Sequence, residues 1–183
     1  MVRKRKGQSV RGLCSRSLEV VEEPYRSLAH GLLQGLLKVF KDRLISFVLY
    51  GSVARGDARR DSDLDVLLVV KRLPKSRFKR LDLFRRAEEE LEPLLDKMLD
   101  RGYAVMISPI MKSMEEALRM SPIYLDMVED ATIVYDKGGF FVGILQRLKE
   151  RLDELGSERV WVGRRWYWRL KRDFKFGEAV IIK

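Results

Sequence analysis

Asp63 and Asp65 stand two residues apart at the head of an apolar run that continues to Val70. Side chains at i and i+2 of a strand point to the same face. Their stems are about 6.6 Å apart at strand rise, close enough for two carboxylates to converge on one hard cation. Upstream, Gly51-Ser52 directly follows a second apolar run, Leu44 to Tyr50. A glycine lets the backbone approach a ligand closely. A helix starting near Ser52 would offer free N–H groups to an anion, and the Ser52 hydroxyl would add one more donor. Arg55 and Arg59 lie nearby as counter-charges. The whole stretch, residues 51–70, reads GSVARGDARRDSDLDVLLVV. A phosphate-cradling turn joined to a metal-binding strand is the minimum equipment for handling a nucleoside triphosphate.

Two simpler readings compete with this one. Gly51 and Gly56 have the spacing of a Walker loop, but Asp57-Ala58 occupy the place of Lys-Ser/Thr, so that motif fails on its residues. Asp63 or Asp65 could instead cap a turn or pair with Arg59 or Arg60. An acid at the mouth of a buried strand calls for a partner, and a divalent cation is a good one. Two such cations can hold a triphosphate in line with an attacking hydroxyl.

The elements that must position these residues are legible on both sides. Glu22-Glu23-Pro24 is a helix-start signal. Across 24–41, Leu28, Leu32, Leu36 and Phe40 recur at i+4 on one face, with Arg26, His30, Gln34 and Lys38 on another. Leu44 to Tyr50 and Leu64 to Val70 read as buried strands. Residues 76–101 read as helical, broken near Pro93 and capped by Gly102. Tyr103 to Met111 is a third strand candidate. Short helices at 113–119 and 122–130, a small strand at 132–135, and a last helix from Phe141 to Leu155 follow, with 159–183 extended and aromatic. The order predicts a small mixed sheet with helices packed on one face, an α/β or α+β domain.

The chain has 183 residues, 46% hydrophobic and 35% charged, which fits one domain with an appendage. No apolar run reaches the roughly 18 residues of a membrane span. The basic N-terminus has no apolar segment and reads as no secretory signal. A single cysteine, Cys14, excludes an internal disulfide and a cysteine zinc site, and points to a reducing cytoplasm. Asparagine is absent and Arg, Lys and Glu crowd the surface, a bias of thermophile proteins. The net charge is +10, of which residues 1–17 carry six bases and no acid. That arm reads as disordered, and either as a nucleic-acid contact or as a solvated tail. Residues 159–175 carry seven more bases against Asp173 alone. His30, the only histidine, sits on a polar helix face and excludes a histidine metal site. Trp161, Trp166 and Trp168 fall in the basic stretch. They could stack on bases, but packing is the expected role, with Trp166 and Trp168 sharing one strand face and Tyr167 opposite.

Gly51-Ser52, Arg55-Gly56 and Ser62-Asp63-Leu64-Asp65 together resemble the signature of the DNA polymerase β-like nucleotidyltransferases, most nearly the minimal nucleotidyltransferases of archaea and bacteria. The resemblance covers roughly residues 25–110, and the stretch WYWRLKRDFKFGE at 166–178 is similar to the ending of archaeal members. It implies transfer of a nucleoside monophosphate from a nucleoside triphosphate, ATP foremost, to a hydroxyl acceptor, with release of pyrophosphate. It implies that Asp63 and Asp65 are catalytic and bind Mg²⁺, and that Gly51 and Ser52 hold the β- and γ-phosphates with Arg55 assisting. The expected division is an arm at 1–17, a nucleotidyltransferase domain at 18–130, and a C-terminal helix with a basic aromatic extension at 131–183. The acceptor would be RNA, a small molecule or a partner protein, the last a toxin if this chain is an antitoxin. A homo-oligomer is compatible with all of these.

Active members of the family that these residues resemble normally carry a third carboxylate on a later strand, which helps activate the attacking hydroxyl. The candidate strand YAVMISPIM has none. Glu115 and Glu116 lie just beyond it, with a helical surface as their expected place and completion of the site as the alternative. The rival expectation is therefore a nucleotide- or RNA-binding protein, or an antitoxin, that keeps the fold and turns over slowly or not at all.

Overall fold

The computed structural model describes residues 18–163, 165–175 and 178–179. The expectation of a disordered arm at 1–17 lies outside the described residues.

Helix α1 (Tyr25–Phe40) forms where the i+4 leucines predict it, and Leu28, Leu32, Leu36 and Phe40 are all fully buried. The two central strands are β1 (Leu44–Tyr50) and β2 (Leu64–Val70), joined by the short helix α2 (Gly51–Arg55) and a loop. After α3 (Arg77–Glu88) and α4 (Glu92–Asp100), strand β3 (Ile107–Lys112) pairs parallel to β2. Pro93 stands in the first turn of α4, where its missing N–H costs nothing, so it starts a helix rather than kinking one. Gly102, in the left-handed region at φ 79°, ends α4 as predicted. Helices α5 (Met114–Ala117) and α6 (Ile123–Asp130) lead to β4 (Thr132–Asp136), which pairs antiparallel to β1. The sheet order is β3-β2-β1-β4, and it is mixed. Helix α7 (Phe140–Glu154) follows, then a hairpin of β5 (Glu158–Val162) and β6 (Arg165–Arg169). Strand β4 and helix α7, which lie C-terminal to residue 130, pack into the same sheet.

The helices cover both faces of the sheet, not one. On the first face α1, α3 and α4 pack over Phe47, Leu49, Leu64, Val66, Leu68 and Val70. On the second, α5, α6 and α7 pack over Ile45, Val48, Leu67 and Val69. The reason is in the strands: β1 and β2 are apolar at nearly every position instead of alternating, and a strand apolar on both sides must be covered on both. Gly35 brings α1 against α3, where a Cβ would overlap the Ala87 carbonyl. Asp136 accepts the Ser46 hydroxyl (2.6 Å) and the first backbone N–H groups of α7, at Phe141 and Val142 (3.0 Å each).

An ion pair ties α3 to α5. Both terminal nitrogens of the Arg80 guanidinium donate to Glu116 at 2.7 Å, and Ser113 and Glu116 cap α5 reciprocally. Hydrogen bonding from Arg80 holds the Glu116 carboxyl down from 4.5 to about 2. A carboxyl whose folded pKa is depressed stabilises the fold above its unfolded value, and that contribution fades as pH falls from 4.5 towards 2. Glu116 is 39% exposed, so solvent screening discounts the contribution to about 1 kcal/mol. Glu116→Gln should lower the melting temperature at pH 7 by about 2–4 °C. The difference from wild type should close near pH 2, measured by thermal denaturation across that range.

Candidate active site

The acids and the turn meet at one end of the sheet. In the antiparallel register Tyr50 stands opposite Asp65, and in the parallel register Ser108 does. Asp65 therefore sits between Tyr50 and Ser108, on the face covered by α6 and α7. Asp63 lies just ahead of β2 and is exposed, while Asp65 is half-buried. Burial raises the Asp65 carboxyl above its usual range, the charge of Asp63 raises it further, and Arg55 opposes both. Burial and the nearby Asp65 charge push the Tyr50 phenol up to about 12.

Gly51 is the point of contact between turn and acid. Its φ of 75° is left-handed, and a Cβ there would press on the Asp65 carboxylate, 3.1 Å from its Cγ. Only glycine satisfies both conditions at little cost. Gly56, at φ 82°, caps α2, and its N–H reaches the Ser52 carbonyl at 3.1 Å. It ends a helix here, as expected of a chain that lacks the Walker residues.

The loop between α2 and β2 is fixed by hydrogen bonds. The Ser62 hydroxyl accepts from the Arg59 N–H at 2.9 Å, and the Ser62 N–H donates to the Arg59 carbonyl at 3.0 Å. The Tyr25 hydroxyl, from α1, donates to the carbonyls of Arg59 and Ser62. Arg60 stacks on Tyr103 at 5.5 Å, and the Ala104 N–H donates to the Arg60 carbonyl. Asp63 is thus presented from a pinned turn. Neither Asp63 nor Asp65 forms an ion pair with Arg59 or Arg60 among the described residues.

The residues fit a divalent cation. The donors are carboxylate oxygens, which suit hard cations. One of the two is desolvated, and the other's negative charge lies near it, an arrangement that a cation relieves. Among the described residues no three His, Cys, Asp or Glu side chains converge. Glu115 and Glu116 do not complete the pair. They follow Lys112, which pairs with Val69, four residues beyond Asp65 along β2 and so about 13 Å away. Glu116 is held there by Arg80, and Glu115 accepts from the Ser113 hydroxyl at 2.6 Å. Ser108 occupies the place beside Asp65.

The C-terminal hairpin also reaches the site. Trp166 and Trp168 share its inner face and Tyr167 the outer one, as the alternation predicts. Both indole N–H groups donate to one oxygen of Asp126 on α6, each at 2.9 Å. The Arg55 guanidinium lies over the Trp166 ring at 4.9 Å and pairs with Asp57 at 3.2 Å. No spacing in the sequence announces these partners. Tyr50, Ser108, Asp126 and Trp166 become neighbours of the site only through the sheet register and the packing of α6.

The chain resembles known proteins over the stretch that carries the turn and both acids. The nucleotidyltransferase domain family matches residues 33–118, a span that contains the turn and both acids. A protein of Methanocaldococcus jannaschii named "Putative protein adenylyltransferase MJ1305" is 32% identical over 130 residues, which are 70% of this chain and 83% of that one. A second from the same organism, "Putative protein adenylyltransferase MJ0141", is 50% identical over 36 residues, 20% of this chain and 36% of its own. A crystal structure of a toxin-antitoxin with AMP-PNP aligns at a TM-score of 0.43 and 16% identity, covering 70% of this chain and 92% of the other. With one relative so similar over most of that relative's length, and with the family's match spanning turn and acids, the chain belongs to the nucleotidyltransferase family and is a nucleotidyltransferase.

Proposed function

We propose that this enzyme transfers AMP from ATP to a hydroxyl of a partner protein, in the cytoplasm. The observation that carries the reading is the contact of the Gly51 turn with the Asp65 carboxylate, beside the like charge of Asp63. Asp63 and Asp65 would hold Mg²⁺. Gly51, Ser52 and Arg55 would hold the β- and γ-phosphates. When bound, the metal neutralises charge on the triphosphate and its leaving group. The acceptor oxygen attacks the α-phosphorus, the bond from that phosphorus to the bridging oxygen breaks, pyrophosphate leaves, and the acceptor proton passes to solvent.

Among the described residues no third carboxylate lies beside Asp65, and this bears on the acceptor. With Ser108 in that place the chain supplies no strong base. A tyrosine phenol, of pKa about 10, yields its proton far more easily than a serine or ribose hydroxyl. That favours a tyrosine acceptor, and a protein acceptor is what the name of the archaeal relative describes for that protein. The lack of asparagine supports a high working temperature.

The test uses ATP labelled at the α-phosphate, Mg²⁺, and soluble protein or total RNA from the source cells. Label should appear on a protein, with mass spectrometry placing AMP on a tyrosine. Label on RNA would overturn the protein acceptor. Bound ATP with no transfer to either would favour a nucleotide-binding protein of the same fold.

A further inference from the structure

The hairpin meets the site where the Arg55 guanidinium lies over the Trp166 ring. Arg55 ends a five-residue helix and carries a long side chain with several rotatable bonds, so holding it in one place costs rotamer freedom. Two groups hold it. Asp57 pairs with it from an exposed position, and Trp166 offers a flat ring 4.9 Å from its central carbon. The ring is itself fixed. Its N–H is bound to Asp126, its neighbour Trp161 packs on it at 4.9 Å, and Arg159 lies over it at 5.5 Å. Arg159 in turn forms a two-pronged ion pair with Asp130, which is buried, on the same helix as Asp126. The hairpin is thus clamped to α6 at Asp126 and at Asp130, with Trp168 and Leu170, partly buried, packed against the core.

We propose that Trp166 is a positioning residue of the nucleotidyltransfer site: fixed by Asp126, it holds the Arg55 guanidinium beside the Gly51 turn, ready for a nucleotide phosphate. The inference rests on the phosphate-binding role given to Arg55 above. A guanidinium held over a ring by cation–π attraction does not spend its N–H groups on that contact, so they stay available as donors. The Asp57 carboxylate, 60% exposed, occupies part of that edge and is the partner a phosphate displaces. The hairpin therefore belongs to the site, although the family match ends at residue 118.

The experiment is a double-mutant cycle on the full chain. Titration calorimetry with Mg²⁺ and a non-hydrolysable ATP analogue gives the affinity of wild type, Arg55→Ala, Trp166→Leu and the double variant. Trp166→Leu should weaken binding about fivefold, and the double variant should bind no worse than Arg55→Ala alone. Trp166→Phe, which keeps a ring, should restore most of the affinity. An equal loss on Trp166→Leu in the presence and absence of Arg55 would overturn the inference, as would no loss at all. A second readout separates it from the nucleotide reading. The Arg55 Nε resonance in ¹⁵N NMR of the ligand-free protein should carry a ring-current shift that Trp166→Leu removes and Trp166→Phe retains. If wild type binds no nucleotide, the functional reading falls. If the resonance ignores Trp166, the positioning role falls whatever the nucleotide does.

Discussion

Asp65→Asn is expected to reduce AMP transfer by about a hundred- to a thousandfold, equivalent to about 2.7–4 kcal/mol of transition-state stabilisation. Asp63→Asn should act alike, because each removes one of two anionic donors and no third such side chain converges with them among the described residues. The effect on the fold should run the other way. Asp65 is half-buried and carries a carboxyl raised above 3.8, first by burial and then by Asp63. A carboxyl whose folded pKa exceeds its unfolded value penalises the native state once it ionises. The penalty is absent below 3.8, where both states are protonated, and is complete once the pH passes the raised value. Asp65→Asn should therefore match wild type in melting temperature at pH 3 and exceed it at pH 7, both without metal. Activity and stability measured on the same variant separate a functional carboxylate from a structural one. A variant that loses stability at pH 7 would contradict the reading.

Gly51→Ala is the second large effect. The left-handed backbone at φ 75° costs a residue with a Cβ about 1–2 kcal/mol, and the new methyl would displace the Asp65 carboxylate. Stability should fall by roughly that amount. Transfer should fall by at least about tenfold, since small displacements of reacting groups are costly. Gly56→Ala is the internal comparison. It shares a left-handed φ of 82°, but nothing lies within 4 Å of its Cβ. It should lose similar stability and little activity. Steady-state transfer rates and thermal melts of the two variants decide the matter. Equal losses of activity would show that Gly51 contributes only backbone freedom.

Much of the fold was legible because its signals are local. The leucines at i+4 in α1, the apolar runs of β1 and β2, and Pro93 and Gly102 each act on their own few residues. Those runs also contained the evidence for helices on both faces. Strands apolar at almost every position need two covers, so the helices lie on both faces and not on the one expected. The inner placement of Trp166 and Trp168 followed from alternation, which is likewise local.

By itself the sequence determined the chemistry on offer: two carboxylates at strand spacing, a Gly-Ser turn before them, and no third acid on the next strand. Tertiary structure decided which distant groups join them. Because β3 runs parallel to β2, its far end carries Glu115 and Glu116 away from Asp65, and Ser108 takes the adjacent place. Because α6 holds the hairpin through Asp126 and Asp130, Trp166 meets Arg55. Spacing along the chain fixes contacts within an element, since one backbone geometry spans it. Contacts between elements depend on strand direction, register and the packing of whole faces, and these minimise the energy of many residues together.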